Sequence, residues 1–439
     1  MKIPEHNLFS LKEHEHLSER YDEYMEFWDS LELPNDVQDH PKYLGIANNT
    51  AGYYIGAAWL YKDAPKKIDE NTPKVIVTPK IENLDFVEML CRAFEFPPSA
   101  EYFSQYYDVD FDLPNIPCKS FQDQLTPLLV IHYIYLMQKL TRRDLKRGYI
   151  QREENLKAKI RGRIVLSKDF QKNRFRQRDD MIFCRFQEFT VDIPENRLLK
   201  RALQFSKSII SSFSAFQKHT GYSTLLNKIN RLLMFFVNVS DEIEEYQIRK
   251  ISSNKLYKDY ELAIKVAKKL LRRFGNSITN IQESHQGYDY VPAFWIDMPR
   301  LYEVYVYSLL EKAYPGQILF QVPGSHKTQV DFIKLDEKII MDTKYKPRYD
   351  FSDENIIPDI REISGYARDE RILSQMGIDC NDAPQSIPVI PCVVIYPYGA
   401  EQNATETIFS HDKLLSFQKE KISGFVEFYK IGVPLPTLD

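Results

Sequence analysis

The stretch Thr328–Tyr345, TQVDFIKLDEKIIMDTKY, is the part of the sequence that most strongly predicts a fold. Two short runs within it, Thr328–Lys334 and Ile339–Lys344, are rich in Val, Ile, Phe and Thr and flank a polar tetrapeptide. This arrangement is typical of a β-hairpin. If the turn is centred on the middle of the tetrapeptide, counting outward along both strands places Asp331 directly opposite Asp342.

One face of this hairpin carries two aspartates and a lysine. Because strand side chains alternate with period two, Lys344 lies on the same face as Asp342 and Asp331. Opposed Cβ atoms of an antiparallel pair lie roughly 4.5–5.5 Å apart, so two carboxylates there favour a cation between them. Carboxylates select Mg²⁺, which lowers the pKa of a bound water, and a nearby ammonium can orient that water. The pattern favours metal-assisted phosphodiester hydrolysis, and the alternative is a solvated hairpin without function. The apolar surroundings of both acids favour the site.

These residues resemble a known nuclease core. Asp331 with Asp342-Thr343-Lys344 resembles the PD-(D/E)xK motif, and the surrounding sequence is similar to the McrC family, the nuclease subunits of McrBC-type modification-dependent restriction systems. Beyond the hairpin, the resemblance rests on three segments: Cys184–Leu199 (CRFQEFTVDIPENRLL), Met298–Val306 (MPRLYEVYV) and Asp359–Ala367 (DIREISGYA).

The resemblance implies a set of roles for named residues. Asp331 and Asp342 would bind Mg²⁺ with the Thr343 carbonyl, and Lys344 would position the attacking water. Glu303 matches an acid that this nuclease superfamily often carries on its first helix, where it reaches the metal through a water. A surface salt bridge is the alternative for Glu303.

A second helix differs from the pattern of the family. Related proteins usually carry a Tyr-Gln pair, and here those places hold Arg361 and Glu362, whereas Tyr366 matches.

Composition places the chain among ordinary globular proteins. It is 43% hydrophobic and 27% charged with a net charge of −4, so overall charge does not indicate a nucleic-acid partner. Its five cysteines are widely spaced without a C-x-x-C pair, which argues against a zinc knuckle or a disulfide framework. No secretory h-region or membrane-spanning apolar run is visible, so we expect a cytoplasmic protein with no membrane partner.

One segment has a strong local charge. Between Lys139 and Arg178 there are fifteen Lys or Arg residues and four acids. Such segments neutralise phosphates, so we expect a DNA-backbone surface here, with a solvated basic face as the alternative. The run Lys157–Val165 alternates apolar and basic residues and predicts a strand that displays Arg161 and Arg163 together. The candidate DNA-binding residues are Arg161, Arg163, Lys168, Arg174 and Arg176.

The chain is long enough for two or three domains. We predict an α/β protein in three parts. Residues 1–120 form a small mixed α/β module that could dock a partner, residues 121–283 form a mainly helical, basic middle region, and residues 284–439 form a PD-(D/E)xK restriction-endonuclease-like domain.

The predicted function follows from the resemblance. It is a Mg²⁺-dependent DNA endonuclease subunit of an McrBC-like system, acting on modified double-stranded DNA. No P-loop motif occurs, so GTP hydrolysis and modified-base reading would belong to a partner AAA+ GTPase of the McrB type. The alternatives are a non-catalytic nuclease-fold scaffold that stimulates the partner's nucleotide hydrolysis, and a stand-alone DNA repair nuclease.

Overall fold

A computed structural model describes most of the chain. The described residues are 7–31, 43–61, 68, 72–93, 106–110, 113–118, 125–212, 222–251, 258–277, 289–346, 356–379, 388–398 and 419–437. They form a mixed α/β protein with several sheets, as predicted. Within these ranges, no helix is both long and apolar enough to cross a membrane.

The elements are numbered in chain order. The strands are β1 (Leu8–Lys12), β2 (Tyr54–Trp59), β3 (Lys74–Thr78), β4 (Tyr107–Asp110), β5 (Ile116–Cys118), β6 (Gly148–Lys157), β7 (Arg163–Ile164), β8 (Met181–Thr190), β9 (Asp289–Val291), β10 (Ala293–Asp297), β11 (Ile318–Pro323), β12 (Gln329–Lys334), β13 (Ile339–Thr343), β14 (Cys392–Tyr398), β15 (Glu420–Lys421) and β16 (Phe428–Pro434). The α-helices are α1 (Leu17–Tyr21), α2 (Met25–Asp29), α3 (Phe86–Ala93), α4 (Leu125–Thr141), α5 (Leu166–Lys172), α6 (Pro194–Ser212), α7 (Tyr222–Phe235), α8 (Glu245–Lys250), α9 (Lys258–Ser277), α10 (Met298–Ala313), α11 (Ile356–Tyr366) and α12 (Glu370–Gln375).

The chain divides into two compact units. The first contains residues 1–125, 219–221 and 284–439, and the second contains residues 126–218 and 222–283. The first unit therefore combines the N-terminal and C-terminal parts of the chain.

The predicted hairpin lies in a six-stranded sheet of the first unit. Its order is β11-β12-β13-β14-β16-β15, with β13, β14 and β16 parallel to one another and the remaining pairs antiparallel. Apolar residues of α11 and α12 pack with these strands in one core, which includes Ile340, Ile363 and Val394. Helix α10 packs on β11 and β13, and Tyr307 stacks on Phe320 at a centroid distance of 4.5 Å.

A five-stranded sheet joins the two ends of the chain. Its order is β1-β3-β2-β10-β4, so the late strand β10 lies between two early ones. Gly56 is required at this junction, because it has φ 144° and a Cβ there would lie 2.1 Å from the Phe294 carbonyl oxygen. The apolar sequence of β10 explains its place, since four of its five side chains are buried.

The second unit is less helical than predicted. Helices α6, α7 and α9 correspond to the three helices that apolar periodicity predicts here, over Arg197–Ser214, Leu225–Phe236 and Tyr257–Arg273. In addition, β6, β8 and β7 form a three-stranded antiparallel sheet. The sequence gives little sign of it, because strand β6 (GYIQREENLK) is mostly polar and has no buried residue.

The strand predicted over Lys157–Val165 is wrong in its extent. A turn follows β6, with Ala158 at φ 49° and Gly162 at φ 69°, and only Arg163–Ile164 pairs with β8. Positive φ values interrupt a strand, so Arg161 lies in the turn rather than beside Arg163 on one strand face.

Candidate active site

The hairpin has the predicted register. Lys334 pairs with Ile339, Ile333 with Ile340 and Phe332 with Met341, so the next step outward brings Asp331 opposite Asp342. The polar turn is held by Lys334, which is 1% exposed and donates to the carboxylates of Asp336 and Glu337 at 2.8 and 2.6 Å.

Asp331 is fixed by the residue that follows Asp342. Its Oδ2 atom accepts hydrogen bonds from the Thr343 backbone N at 2.7 Å and from Thr343 Oγ1 at 2.5 Å. Two donors from one residue hold the carboxylate in a single orientation between strands β12 and β13. Burial nevertheless raises the pKa of Asp331, since the charged form loses its hydration.

Asp342 is the most deeply buried acid of the group. It is 3% exposed, and its Oδ2 atom lies 2.8 Å from Lys344 Nζ. Among the described residues, this oxygen makes no hydrogen bond of good geometry. Burial, followed by the charge of Asp331, raises its pKa well above the usual range. A buried carboxylate oxygen in this state fits a ligand position for a cation.

Lys344 lies between two carboxylates. Its Nζ atom is 2.8 Å from Asp342 Oδ2 and 2.9 Å from Glu362 Oε2, and the hydroxyl of Tyr366 donates to Glu362 Oε1 at 2.8 Å. Burial opposes the charged form of Lys344, yet the two carboxylates together raise its pKa above the ordinary value. The ammonium is therefore protonated at neutral pH and held beside the paired aspartates.

Glu303 joins the group from helix α10. Asp297 caps the helix by accepting from the Arg300 backbone N at 3.1 Å. Burial and then the nearby charges of Asp331 and Asp342 raise the pKa of Glu303 well above its usual range, and its hydrogen bond with Asp331 adds to this rise. Among the described residues, no Lys or Arg lies within ion-pair distance of Glu303, and its side-chain contacts are with Gln321 and Asp331.

Gln321 is a site residue that the sequence analysis missed. It is a polar residue within the apolar strand β11, and its Nε2 atom donates to Glu303 Oε1. It has φ 53°, at the position where the pairing of β11 with β12 is interrupted opposite Asp331. A non-glycine residue with positive φ is uncommon, and such residues are often found at functional sites.

The carboxylates fit Mg²⁺ by chemistry. Mg²⁺ is usually bound by one or two carboxylates, with water and substrate phosphate oxygens completing the shell. Asp331 and Asp342 supply such a pair, and within the described part of the chain the buried Asp342 Oδ2 has the ammonium of Lys344 at 2.8 Å but no hydrogen bond of good geometry. Among the described residues, no three Asp, Glu, His or Cys side chains are arranged as a ready metal cage.

The candidate DNA-binding residues lie in the second unit and differ in their contacts. Arg163 and Arg176 are exposed, and no described carboxylate lies within ion-pair distance of either. The other three are already engaged. Arg161 stacks on Phe186 and lies 3.7 Å from Glu188, Lys168 pairs with Glu153, and Arg174 pairs with Asp179 at 2.5 Å.

Comparison with known proteins identifies the family. A family model described as "McrBC 5-methylcytosine restriction system component" matches residues 69–357, more than half of the chain. That range includes Glu303, Asp331, Asp342 and Lys344 and ends before Glu362. Among curated proteins, none matches.

Two solved structures are similar to the chain. One is a refined half-complex from a tetradecameric assembly of Thermococcus gammatolerans McrB AAA+ hexamers with bound McrC, with 12% identity, a TM-score of 0.35, and coverage of 97% of this chain and 94% of that chain. The other is a cryo-EM structure of the Thermococcus gammatolerans McrBC complex, with 14% identity, a TM-score of 0.28, and coverage of 70% and 88%. The family match confirms the resemblance seen in the sequence, and the chain belongs to the family of McrBC 5-methylcytosine restriction system components.

Proposed function

We propose that this chain is a Mg²⁺-dependent DNA endonuclease with a C-terminal PD-(D/E)xK restriction-endonuclease-like domain. The observation that carries the proposal is the hairpin register, which sets Asp331 beside Asp342 while Lys344 contacts Asp342 at 2.8 Å. Membership of a restriction-system family supports this reading, since such systems cut DNA.

Each side chain of the candidate site would have a distinct role. Asp331 and Asp342 would hold Mg²⁺ with the Thr343 carbonyl, and the bound metal would supply an activated water and neutralise charge on the phosphate. Lys344 would orient the attacking water and stabilise the negative charge that develops in the transition state. Glu362 and Tyr366 keep Lys344 in place through the contacts at 2.9 and 2.8 Å. Glu303 would act from the second coordination shell through its contact with Asp331.

The exposed basic residues of the second unit support a role in DNA binding. Arg163 and Arg176 face solvent without a described counter-charge, so both are available for phosphates. Arg161, Lys168 and Arg174 would bind DNA only by exchanging their present carboxylate partners for phosphates. We therefore assign the main backbone contacts to Arg163 and Arg176.

The proposed partner is an AAA+ GTPase of the McrB type in the cytoplasm, and the proposed substrate is modified double-stranded DNA. The sequence has no P-loop motif, so a restriction system built on this chain needs nucleotide hydrolysis from another subunit. The family description names 5-methylcytosine, which supports DNA carrying that base as the first substrate to test.

The test is cleavage of a supercoiled plasmid that carries 5-methylcytosine. The purified chain is assayed with the AAA+ GTPase encoded by a neighbouring gene, Mg²⁺ and GTP, and each component is omitted in turn. We expect linear product from the complete mixture and none from the Asp342→Asn variant. Asp29→Asn is the control, because it makes the same chemical change at an exposed residue of helix α2 that has no ion pair among the described residues.

The assay also separates the alternatives. Cleavage by the chain without the partner and GTP would support a stand-alone nuclease. No cleavage in any mixture, together with stimulated GTP hydrolysis that Asp342→Asn leaves intact, would refute the endonuclease assignment and support the scaffold.

A further inference from the structure

A buried polar cluster lies directly beside the candidate active site. Glu13 is 4% exposed, and its Oε2 atom accepts from the Lys80 backbone N at 3.0 Å and from the Tyr345 hydroxyl at 3.4 Å. Lys80 Nζ donates to the Tyr345 carbonyl oxygen at 2.8 Å and lies 4.0 Å from the centroid of the Tyr345 ring. Glu13 and Lys80 come from the N-terminal part of the chain, and Tyr345 comes from the strand end that carries Lys344.

Tyr345 connects this cluster to two site residues. It directly follows Lys344, and its ring lies 5.8 Å from that of Tyr302, which directly precedes Glu303. Both rings are buried in a close-packed interior, so a shift of Tyr345 would also displace the backbone next to Lys344 and the backbone next to Glu303.

The chain leaves strand β13 in a tight turn at this point. The Lys344 backbone N donates to the Ile395 carbonyl at 2.9 Å, and the Lys346 backbone N donates to the Lys344 carbonyl at 2.7 Å. The Tyr345 carbonyl between them accepts from Lys80 Nζ, at a position where the sheet no longer supplies a donor. Lys80 therefore fixes the backbone directly after the catalytic lysine candidate.

Stability is a weak explanation for the cluster. The Glu13 Oε1 atom is buried without a hydrogen bond in the described part of the chain, and a buried polar atom without a partner costs folding free energy. A buried group that costs folding free energy and lies beside a candidate active site is better explained by a role in holding the site residues in position.

We propose that Glu13 and Lys80 are positioning residues for the nuclease site, setting Lys344 through Tyr345, so that the N-terminal segment is part of the catalytic unit. The inference rests on the proposed function for its catalytic meaning. Its structural content, the restraint of Lys344 by Lys80, can be tested separately.

The main variant is Lys80→Met, which keeps the length of the side chain and removes the donor. We expect kcat for plasmid cleavage by the full complex to fall about 10- to 100-fold with KM for DNA little changed, since small misplacement of a catalytic group has effects of this size. Lys80→Arg retains a donor and should recover most of the rate. Hydrogen exchange of the Lys344 and Tyr345 amides in the free chain should accelerate in Lys80→Met and not in Lys80→Arg.

The matched control is Lys12→Met. Lys12 and Glu82 form an exposed ion pair at 3.0 Å between the same two N-terminal segments, so its loss should leave kcat within about twofold, as expected for a surface pair. If Lys80→Met is insoluble, Glu13→Gln takes its place and should lower kcat in the same direction.

Wild-type cleavage and exchange in a folded Lys80→Met variant would overturn the proposal. If the wild-type complex does not cleave at all, the proposed function fails, and the exchange measurement still decides whether Lys80 restrains the Lys344 backbone.

Discussion

Glu13→Gln should make the protein more stable at alkaline pH. Burial raises the pKa of Glu13 from 4.5 to about 7, against the opposing charge of Lys80 and its hydrogen bonds to Lys80 and Tyr345; Asp297 adds a smaller upward contribution. Glu13 is 4% exposed, so solvent screening takes little from this effect. In the folded protein, ionisation of this carboxyl lowers the free energy of unfolding. The substitution puts a neutral side chain of the same size in its place.

The sign and size follow from linkage. Between pH 4.5 and 7 the folded state binds more protons at Glu13 than the unfolded state, so wild-type stability falls as pH rises. One pKa unit corresponds to 1.36 kcal/mol, which gives a loss of about 3 kcal/mol by pH 8 and under about 1 kcal/mol at pH 5. Since Gln does not titrate, the stability difference between variant and wild type should grow by about 2 to 3 kcal/mol between these two pH values.

Urea unfolding of both proteins at pH 5 and pH 8 measures this difference. The control is Glu82→Gln, because the Glu82 side chain is 80% exposed and its substitution should shift stability by less than about 0.5 kcal/mol at either pH. A gap between Glu13→Gln and wild type that is the same at pH 5 and pH 8 would refute the reasoning about the buried carboxyl. A more stable variant that is also slower in cleavage would be the signature of a group retained for function.

Three further predictions concern the site and the DNA surface. Asp342→Ala should abolish plasmid cleavage while the free energy of unfolding stays the same or rises. The reason is that a buried like charge is removed from beside Asp331, whereas Lys344 keeps its contact with Glu362. Urea unfolding and cleavage are measured on one preparation, and marked destabilisation would contradict the prediction. Lys344→Met should lose cleavage by orders of magnitude yet still stimulate GTP hydrolysis by the partner, and equal loss of both activities would leave the nuclease assignment without support. Replacing Arg163 and Arg176 together by Ala should weaken DNA binding regardless of DNA sequence. The slope of the logarithm of the binding constant against the logarithm of salt concentration should become shallower by about 0.9 per lost phosphate contact. Fluorescence anisotropy at several salt concentrations measures this slope, and a slope equal to that of wild type would mean that these arginines do not contact DNA.

The sequence alone determined the central hairpin. Strand periodicity and a short polar turn are local features, and together they predicted that Asp331 and Asp342 lie opposite each other with Lys344 beside them. The start of helix α10 was equally predictable from the sequence, since Asp297 and the proline after Met298 mark it. Local signals also predicted the main helices of the second unit.

Local signals were insufficient in two places of the second unit. The polar strand β6 has no apolar alternation, because none of its side chains is buried, so its pairing with β8 could not be read from the sequence. The arginines near Gly162 were expected on one strand face, but the positive φ of that glycine separates Arg161 from Arg163. Which basic side chains are available for DNA therefore depends on whether a carboxylate lies nearby, and not on the charge density of the segment.

Only the tertiary structure decided what surrounds the paired aspartates. Glu303 and Gln321 meet across a helix and a strand, and Glu13 and Lys80 reach Tyr345 from more than 250 residues away in the sequence. Such contacts have no period and no fixed spacing, because they depend on how sheets and helices pack after each has formed. The sequence therefore determined which residues could perform the chemistry, and packing between distant segments decided which others hold them in place.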